Sequence, residues 1–274
     1  MKSNNESAAL KYARSLASTL RNEMTENHAP DVGDILATGW GDCLKLKNER
    51  SRSLSDLDPR FADLEEVAGH RRVVSYGTIG KRRVIALRGR IHLNEHPNSV
   101  ELYMHVRLQV QMLLELGVRT FILTNAAGSL RDDVRVDNIV VADGFVTLFA
   151  PDMPLFAGEF RSPEDILSPE LRALALNACP SRLHPIAGGY AMVRGPQFEG
   201  RKYDKPILRT TGASCVGMSS LPEACITALH RHLGHKALVL SYITNDDVEE
   251  HSHEENLKRA VVFLTKRLVE MGFA

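Results

Sequence analysis

The sequence predicts an α/β fold, a single domain over residues 1–274 with a mixed, mostly parallel central sheet flanked by helices. Three observations carry this. Strand-length apolar runs alternate with helical patterns along the chain. Several runs, such as Thr120-Phe121-Ile122-Leu123-Thr124 and Ile139-Val140-Val141-Ala142, are continuously apolar or nearly so, which suits strands buried on both faces. No internal repeat and no convincing linker divides the chain, and 274 residues can bury a core without staples.

The elements follow in order. Residues 8–24 have helical apolar spacing and good helix formers. Val32 to Ala37 is a short strand running into Thr38-Gly39-Trp40-Gly41-Asp42. Residues 47–68 are charged, Ser-rich and weakly periodic, and read as a mobile surface segment. Arg72–Tyr76 and Arg83–Leu87 form a hairpin with Gly80 in its turn. A helix over about 99–116 stops at Gly117. The strands at 120–124 and 139–142 come next. Ser168-Pro169-Glu170 opens a helix with a cap residue, a first-position proline and an acid in the first turn. Residues 186–193 read as strand, 200–209 as helix and 214–218 as strand. Ser220-Leu221-Pro222-Glu223 has the form of a capping box opening a helix to about 232. Lys236–Ile243 is a strand, and 252–270 is a closing amphipathic helix.

Composition sets limits. With 34 basic and 34 acidic residues the net charge is zero. No general field draws in nucleic acid or an acidic membrane, so any bound anion needs a local pocket. Cys43, Cys179, Cys215 and Cys225 are scattered, which fits four small hydrophobes in a reducing compartment. Met1 to Glu6 lacks an apolar signal core, and no run approaches the length of a membrane span. The expectation is a cytoplasmic protein without nucleic-acid or membrane partners.

In sheets of this type ligands bind beyond the carboxyl ends of the strands, so the strand-end segments carry the function. Thr38-Gly39-Trp40-Gly41 offers a tight turn and a hydroxyl, suited to a phosphate. No GxGxxG fingerprint or GxxxxGK[ST] loop is present, which argues against P-loop chemistry. Arg90, His92 and Asn94 share one side of an extended stretch, where an arginine fork and an imidazole can grip an oxyanion. Asn125-Ala126-Ala127-Gly128 has small residues that expose backbone N–H groups. In Gly195-Pro196-Gln197-Phe198-Glu199 an aromatic next to a carboxylate can stack on a flat ring and accept a ring N–H. Met218-Ser219-Ser220 leads into a helix N-terminus, a natural anion site. Asn245, followed by Asp246, Asp247, His251 and His253, can serve a heterocycle through its amide. The acid and histidine spacing matches neither HExxH nor an EF-hand, so no metal is expected.

Taken in order, Gly69-His70, Gly89-Arg90-Ile91-His92, Thr124-Asn125-Ala126-Ala127-Gly128, Gly195 to Glu199, Val216 to Glu223, Ile243-Thr244-Asn245 and His253-Glu254-Glu255 resemble the low-molecular-mass, trimeric purine nucleoside phosphorylase family, within a group that includes methylthioadenosine phosphorylases. The match spans roughly residues 33–255. The resemblance implies phosphate attack on a purine nucleoside, without a cofactor and with inorganic phosphate as co-substrate. It implies phosphate binding by Thr38, His70, Arg90, His92, the Ala126 N–H and Ser219, and base binding by Phe198, Glu199 and Asn245. The ribose would meet Asn94, Met218 and His253, and Asn245, Glu199 and His92 would be the catalytic set. A neighbouring subunit of a homotrimer would close the site with an aromatic residue, for which Phe156 or Phe160 stands in range. Two departures stand out. Trp40 lies in a loop that is GSGLG-like in the family, and Asn94 replaces a common Tyr. The Glu199 and Asn245 pair is similar to that of 6-oxopurine enzymes, so inosine and guanosine are the expected substrates. Adenosine or 5′-methylthioadenosine phosphorolysis, or binding without turnover, are the alternatives.

Overall fold

In the computed structural model the described residues are 2–37, 40–41, 44–62, 71–96, 99–156, 158–179, 181, 184–195, 197 and 199–246. The closing helix expected over 252–270 lies outside them, as does Cys43. The chain opens with α1 (Lys2–Glu23), then β1 (Val32–Leu36), β2 (Lys47–Ser53) and α2 (Leu54–Leu57). β3 (Val73–Ile79) and β4 (Arg82–Arg88) form the expected hairpin. There follow α3 (Val100–Leu116), β5 (Thr120–Ser129), β6 (Ile139–Val146), α4 (Pro169–Ala178) and β7 (Ile186–Met192). The described part ends with α5 (Asp204–Thr210), β8 (Cys215–Gly217), α6 (Leu221–Ala228) and β9 (Lys236–Asn245).

The nine strands form one mixed sheet in the order β2-β3-β4-β1-β5-β8-β7-β6-β9, and a further β5–β9 pairing bends the last five into a closed ring. β1 is parallel to β4 on one side and to β5 on the other, and β9 is parallel to β5. β8 runs antiparallel to β5, and β6 antiparallel to β9. The carboxyl ends of β4, β1, β5 and β9 therefore lie at one edge. This is where the strand-end motifs gather.

The largest buried cluster joins α1, α3 and α6 to one sheet face, through residues such as Leu20, Leu113, Ile35, Leu123 and Ile226. α3 ends as the sequence predicts: Gly117 sits at φ +105 and its N–H returns to Leu113 and Leu114 carbonyls. Side chains other than glycine disfavour that backbone region.

The segment 47–68 differs from its reading. Residues Lys47–Ser53 are an exposed edge strand paired with β3, and Leu54 and Phe61 beyond it are buried. An edge strand draws its stability from main-chain bonds and needs no apolar alternation, so its charges hid it; they also guard the edge against foreign pairing. Arg50 pairs with Glu26, Arg52 with Glu23, and Glu49 with Arg88. β5, β6 and β9 also run two to five residues beyond the apolar runs that announced them. Ladder bonds continue where the side chains turn polar or small.

A buried acid stands on the other face. Asp34 lies mid-strand in β1, opposite Ala86 of β4 and Ile122 of β5. It is buried, and loss of water pushes its carboxyl up to about 7, with Arg88 opposing in part. The native state thus holds a proton that the unfolded chain has released. Stability falls as pH rises from about 4 to about 7. Asp34→Asn is expected to remove this slope. Urea denaturation should show the variant gaining about 2.5 kcal/mol on wild type between pH 5 and pH 8; equal slopes would refute the burial of an ionisable group here.

Candidate active site

Arg90 organises the strand ends. β4 leads through Gly89 into Arg90, which is 1% exposed. Its Nη1 donates to Glu223 Oε1 at 2.7 Å and to Ser220 Oγ at 3.3 Å. Its Nη2 donates to the carbonyls of Thr124 and Ile35. One guanidinium thus ties β1, β5 and the start of α6 to the end of β4. Asn125 joins the same group, donating from Nδ2 to Ser220 Oγ at 3.0 Å, while its carbonyl accepts the indole N–H of Trp40 at 3.1 Å.

The capping box does not form. Ser220 has φ +66 and makes no cap bond. Its hydroxyl serves Arg90 and Asn125, and Glu223 faces Arg90. A buried guanidinium needs a counter-charge more than the helix needs its cap. Both residues stay in place with a different task.

Downstream of Arg90 the chain is held by an amide clamp. The side chain of Gln109 on α3 accepts from Ile91 N and donates to Ile91 O. The Nδ1 of His92 accepts the backbone N–H of Asn94 at 3.1 Å, which leaves the proton of the neutral ring on Nε2. The N–H of His92 donates to Glu95 Oε1, and Glu95 is paired with Arg72 at 3.0 Å. Asn94 Nδ2 lies 3.3 Å from Met218 Sδ. A Cβ built on Gly195 would fall 2.2 Å from the same amide, so the segments after β4, β7 and β8 meet here. Ser219 is half-buried and its N–H donates to the hydroxyl of Tyr190 at 3.2 Å. Burial raises the pKa of that phenol, which stays neutral.

Asn245 closes β9 in register with Gly128. Thr244 Oγ1 donates to Asn245 Oδ1 at 3.1 Å. That bond fixes the amide with Nδ2 as its donor, and Nδ2 stands 3.0 Å from where a Gly128 Cβ would be. Ala126 lies two residues earlier on β5, half-buried.

Of the residues expected from sequence, the structure brings Arg90, His92, Asn94, Ala126, Met218, Ser219 and Asn245 to the strand ends. Glu199 is half-buried in a hollow of about 180 Å³ with Phe149, Arg194 and Ile207, and among the described residues no hydrogen bond joins it to Asn245. Thr38, His70, Phe198 and His253 lie outside the described residues. Phe156 packs under the guanidinium of Arg107 at 4.3 Å, whereas Phe160 is 81% exposed. Sequence reasoning missed Gln109, Tyr190 and the charge-balancing role of Glu223. A polar residue on the buried face of an apolar helix was the available signal for Gln109. Among the described residues no group of three or more His, Cys, Asp or Glu could hold a metal, and no helix is long and apolar enough to cross a membrane.

The sequence matches the phosphorylase superfamily over residues 35–269. It is 33% identical over 216 residues to the purine nucleoside phosphorylase of Mycobacterium tuberculosis, covering 78% of this chain and 76% of that protein. The chain belongs to the purine nucleoside phosphorylase family. Another relative is the purine nucleoside phosphorylase of Rattus norvegicus, 29% identical over 250 residues, with 84% of this chain and 83% of that protein covered. Among solved structures, the Schistosoma mansoni purine nucleoside phosphorylase in complex with adenosine superposes with a TM-score of 0.77 at 23% identity, over 96% of this chain and 95% of that one. The inosine complex of the Schistosoma mansoni enzyme gives 0.74 at 23% identity, over 96% and 94%. This family member is thus a pentosyl-transferring enzyme with the family's mixed α/β fold.

The Arg90–Glu223 pair makes a direct prediction. Glu223→Ala strands a buried guanidinium and is expected to cost about 3–5 kcal/mol in urea denaturation. Replacing both partners, as Arg90→Met with Glu223→Leu, should recover most of that stability. A near-neutral single variant would show that the pair is hydrated in solution.

Proposed function

We propose that this phosphorylase cleaves 6-oxopurine nucleosides, inosine and guanosine, with inorganic phosphate as co-substrate and no cofactor. The observation that carries the reading is the oriented amide of Asn245, whose Oδ1 is held by Thr244 and whose Nδ2 faces the space beside Gly128. In the reaction a phosphate oxygen bonds to the anomeric carbon as the bond from that carbon to the purine N9 breaks. The products are free base and ribose 1-phosphate, or the deoxyribose analogue. Charge builds on the departing purine, and an amide donor at N7 gains strength as it does so. Glu199 accepts from N1–H of the 6-oxopurine, beside Phe198.

Phosphate is held by His92, Ser219 and the Ala126 N–H, with Thr38 and His70, over Arg90, which serves the phosphate site by fixing its floor through Ser220 and the Thr124 carbonyl. His92 presents its Nε2 proton because Nδ1 is taken by Asn94. Met218, Asn94 and His253 face the ribose. The working unit is a homotrimer of single-domain chains in the cytoplasm, with Phe160 reaching the neighbouring site.

Incubation with inosine, guanosine, adenosine and 5′-methylthioadenosine, with and without phosphate, tests this by release of free base. Phosphate-dependent release from the two 6-oxo substrates is expected. Release confined to 6-amino substrates overturns the specificity, and binding without turnover overturns the activity. Asn245→Ala should lower kcat about 10²–10³-fold, as loss of one donor to a developing anion does, with the KM for phosphate little changed. A loss confined to KM would remove Asn245 from the chemistry.

A further inference from the structure

The face of the sheet away from α3 carries a cavity of about 160 Å³, bounded in part by Leu36, Trp40, Ile79, Val84, Ile122 and Leu240. Asp34 also lines it. Its Oδ1 is buried and has no hydrogen-bond partner. Two arginines share this neighbourhood, and neither hydrogen-bonds that carboxyl; Arg88 acts on it through charge alone. Arg88 donates to Ser75 Oγ and to the carbonyls of Gly41 and Leu44, and is paired with Glu49. Arg82 lies at the cavity rim with its side chain exposed to solvent. The reaction proposed above uses none of these groups.

An apolar cavity of about 150 Å³ accepts a single aromatic ring. This one differs by a lone buried acceptor, and unsatisfied buried acceptors are costly. We propose that the cavity is a second small-molecule site, taking a compact single-ring ligand that bears one amino group, with the amine donating to Asp34. The ring replaces contacts missing along Leu36, Val84 and Leu240, and the ammonium supplies the missing donor together with a charge in direct contact. Trp40 walls this cavity and its indole N–H bonds the Asn125 carbonyl, so the site adjoins the Arg90 group through one side chain.

Trp40 is the only tryptophan in the sequence, so its fluorescence reads the cavity directly. Benzylamine is the probe, titrated into the full chain, with toluene as the ring without the amine. Expected is a saturable change in Trp40 emission with benzylamine. Binding should weaken at least about tenfold for toluene and in Asp34→Asn, the loss of one charge-assisted hydrogen bond. Binding should tighten from about pH 6 to about pH 8 as the carboxyl ionises. Val84→Phe fills the cavity without touching a charge and should abolish the response while phosphorolysis persists. No saturable response in wild type, equal affinity in Asp34→Asn, or an undiminished response in Val84→Phe would each overturn the proposal. Phosphorolysis is assayed separately, so failure of this site leaves the proposed reaction standing, and the reverse.

Discussion

A buried arginine with its carboxylate is the constraint on which the strand-end region depends. Arg90 is reached from β4, and its acceptors come from β1, β5 and the turn into α6. An unpaired guanidinium in that position would carry a large desolvation cost. The surrounding chain is therefore committed: Glu223 must face inward, Ser220 must take φ +66, and β1 must stop where its Ile35 carbonyl can be reached. Each of these fixes a neighbour that the proposed chemistry uses. Ser219 is placed by the Ser220 turn, and His92 follows Arg90 by two residues.

A second layer holds side chains in a chosen state. The backbone of Asn94 selects the tautomer of His92, Thr244 selects the orientation of Asn245, and Tyr190 anchors the N–H of Ser219. None of these supports is itself strongly charged. They act by leaving one donor pointing in one direction, and such preorganisation lowers barriers in a dry site.

Much of this was legible in the sequence. The continuous apolar runs at 120–124 and 139–142 and the caps at Ser168 and Gly117 mark elements that the structure contains. The ordered strand-end motifs marked the region where Arg90, His92, Met218 and Asn245 come together. The rest was hidden for physical reasons. β2 gave no periodic signal because a solvated edge strand has no buried face to encode. The Ser220–Glu223 pattern was ambiguous because the residues that cap a helix can instead bond and neutralise an arginine 130 and 133 positions away, and only the fold brings that arginine near. Gln109 needed the placement of α3 against Ile91 before its amide had a meaning.

The sheet closes on itself at one end and not at the other. β5, β8, β7, β6 and β9 form a ring, which leaves β2 as the terminal strand of the described sheet. Contact between copies of this chain by adding strand to strand would have to pass through β2. There Lys47, Glu49, Arg50 and Arg52 stand exposed or half-exposed, with carboxylates of α1 and the turn after it already drawn to two of them. The fold thus steers assembly away from backbone pairing and towards side-chain surfaces on helices and loops. Such surfaces can build a closed oligomer without offering a template for an endless one.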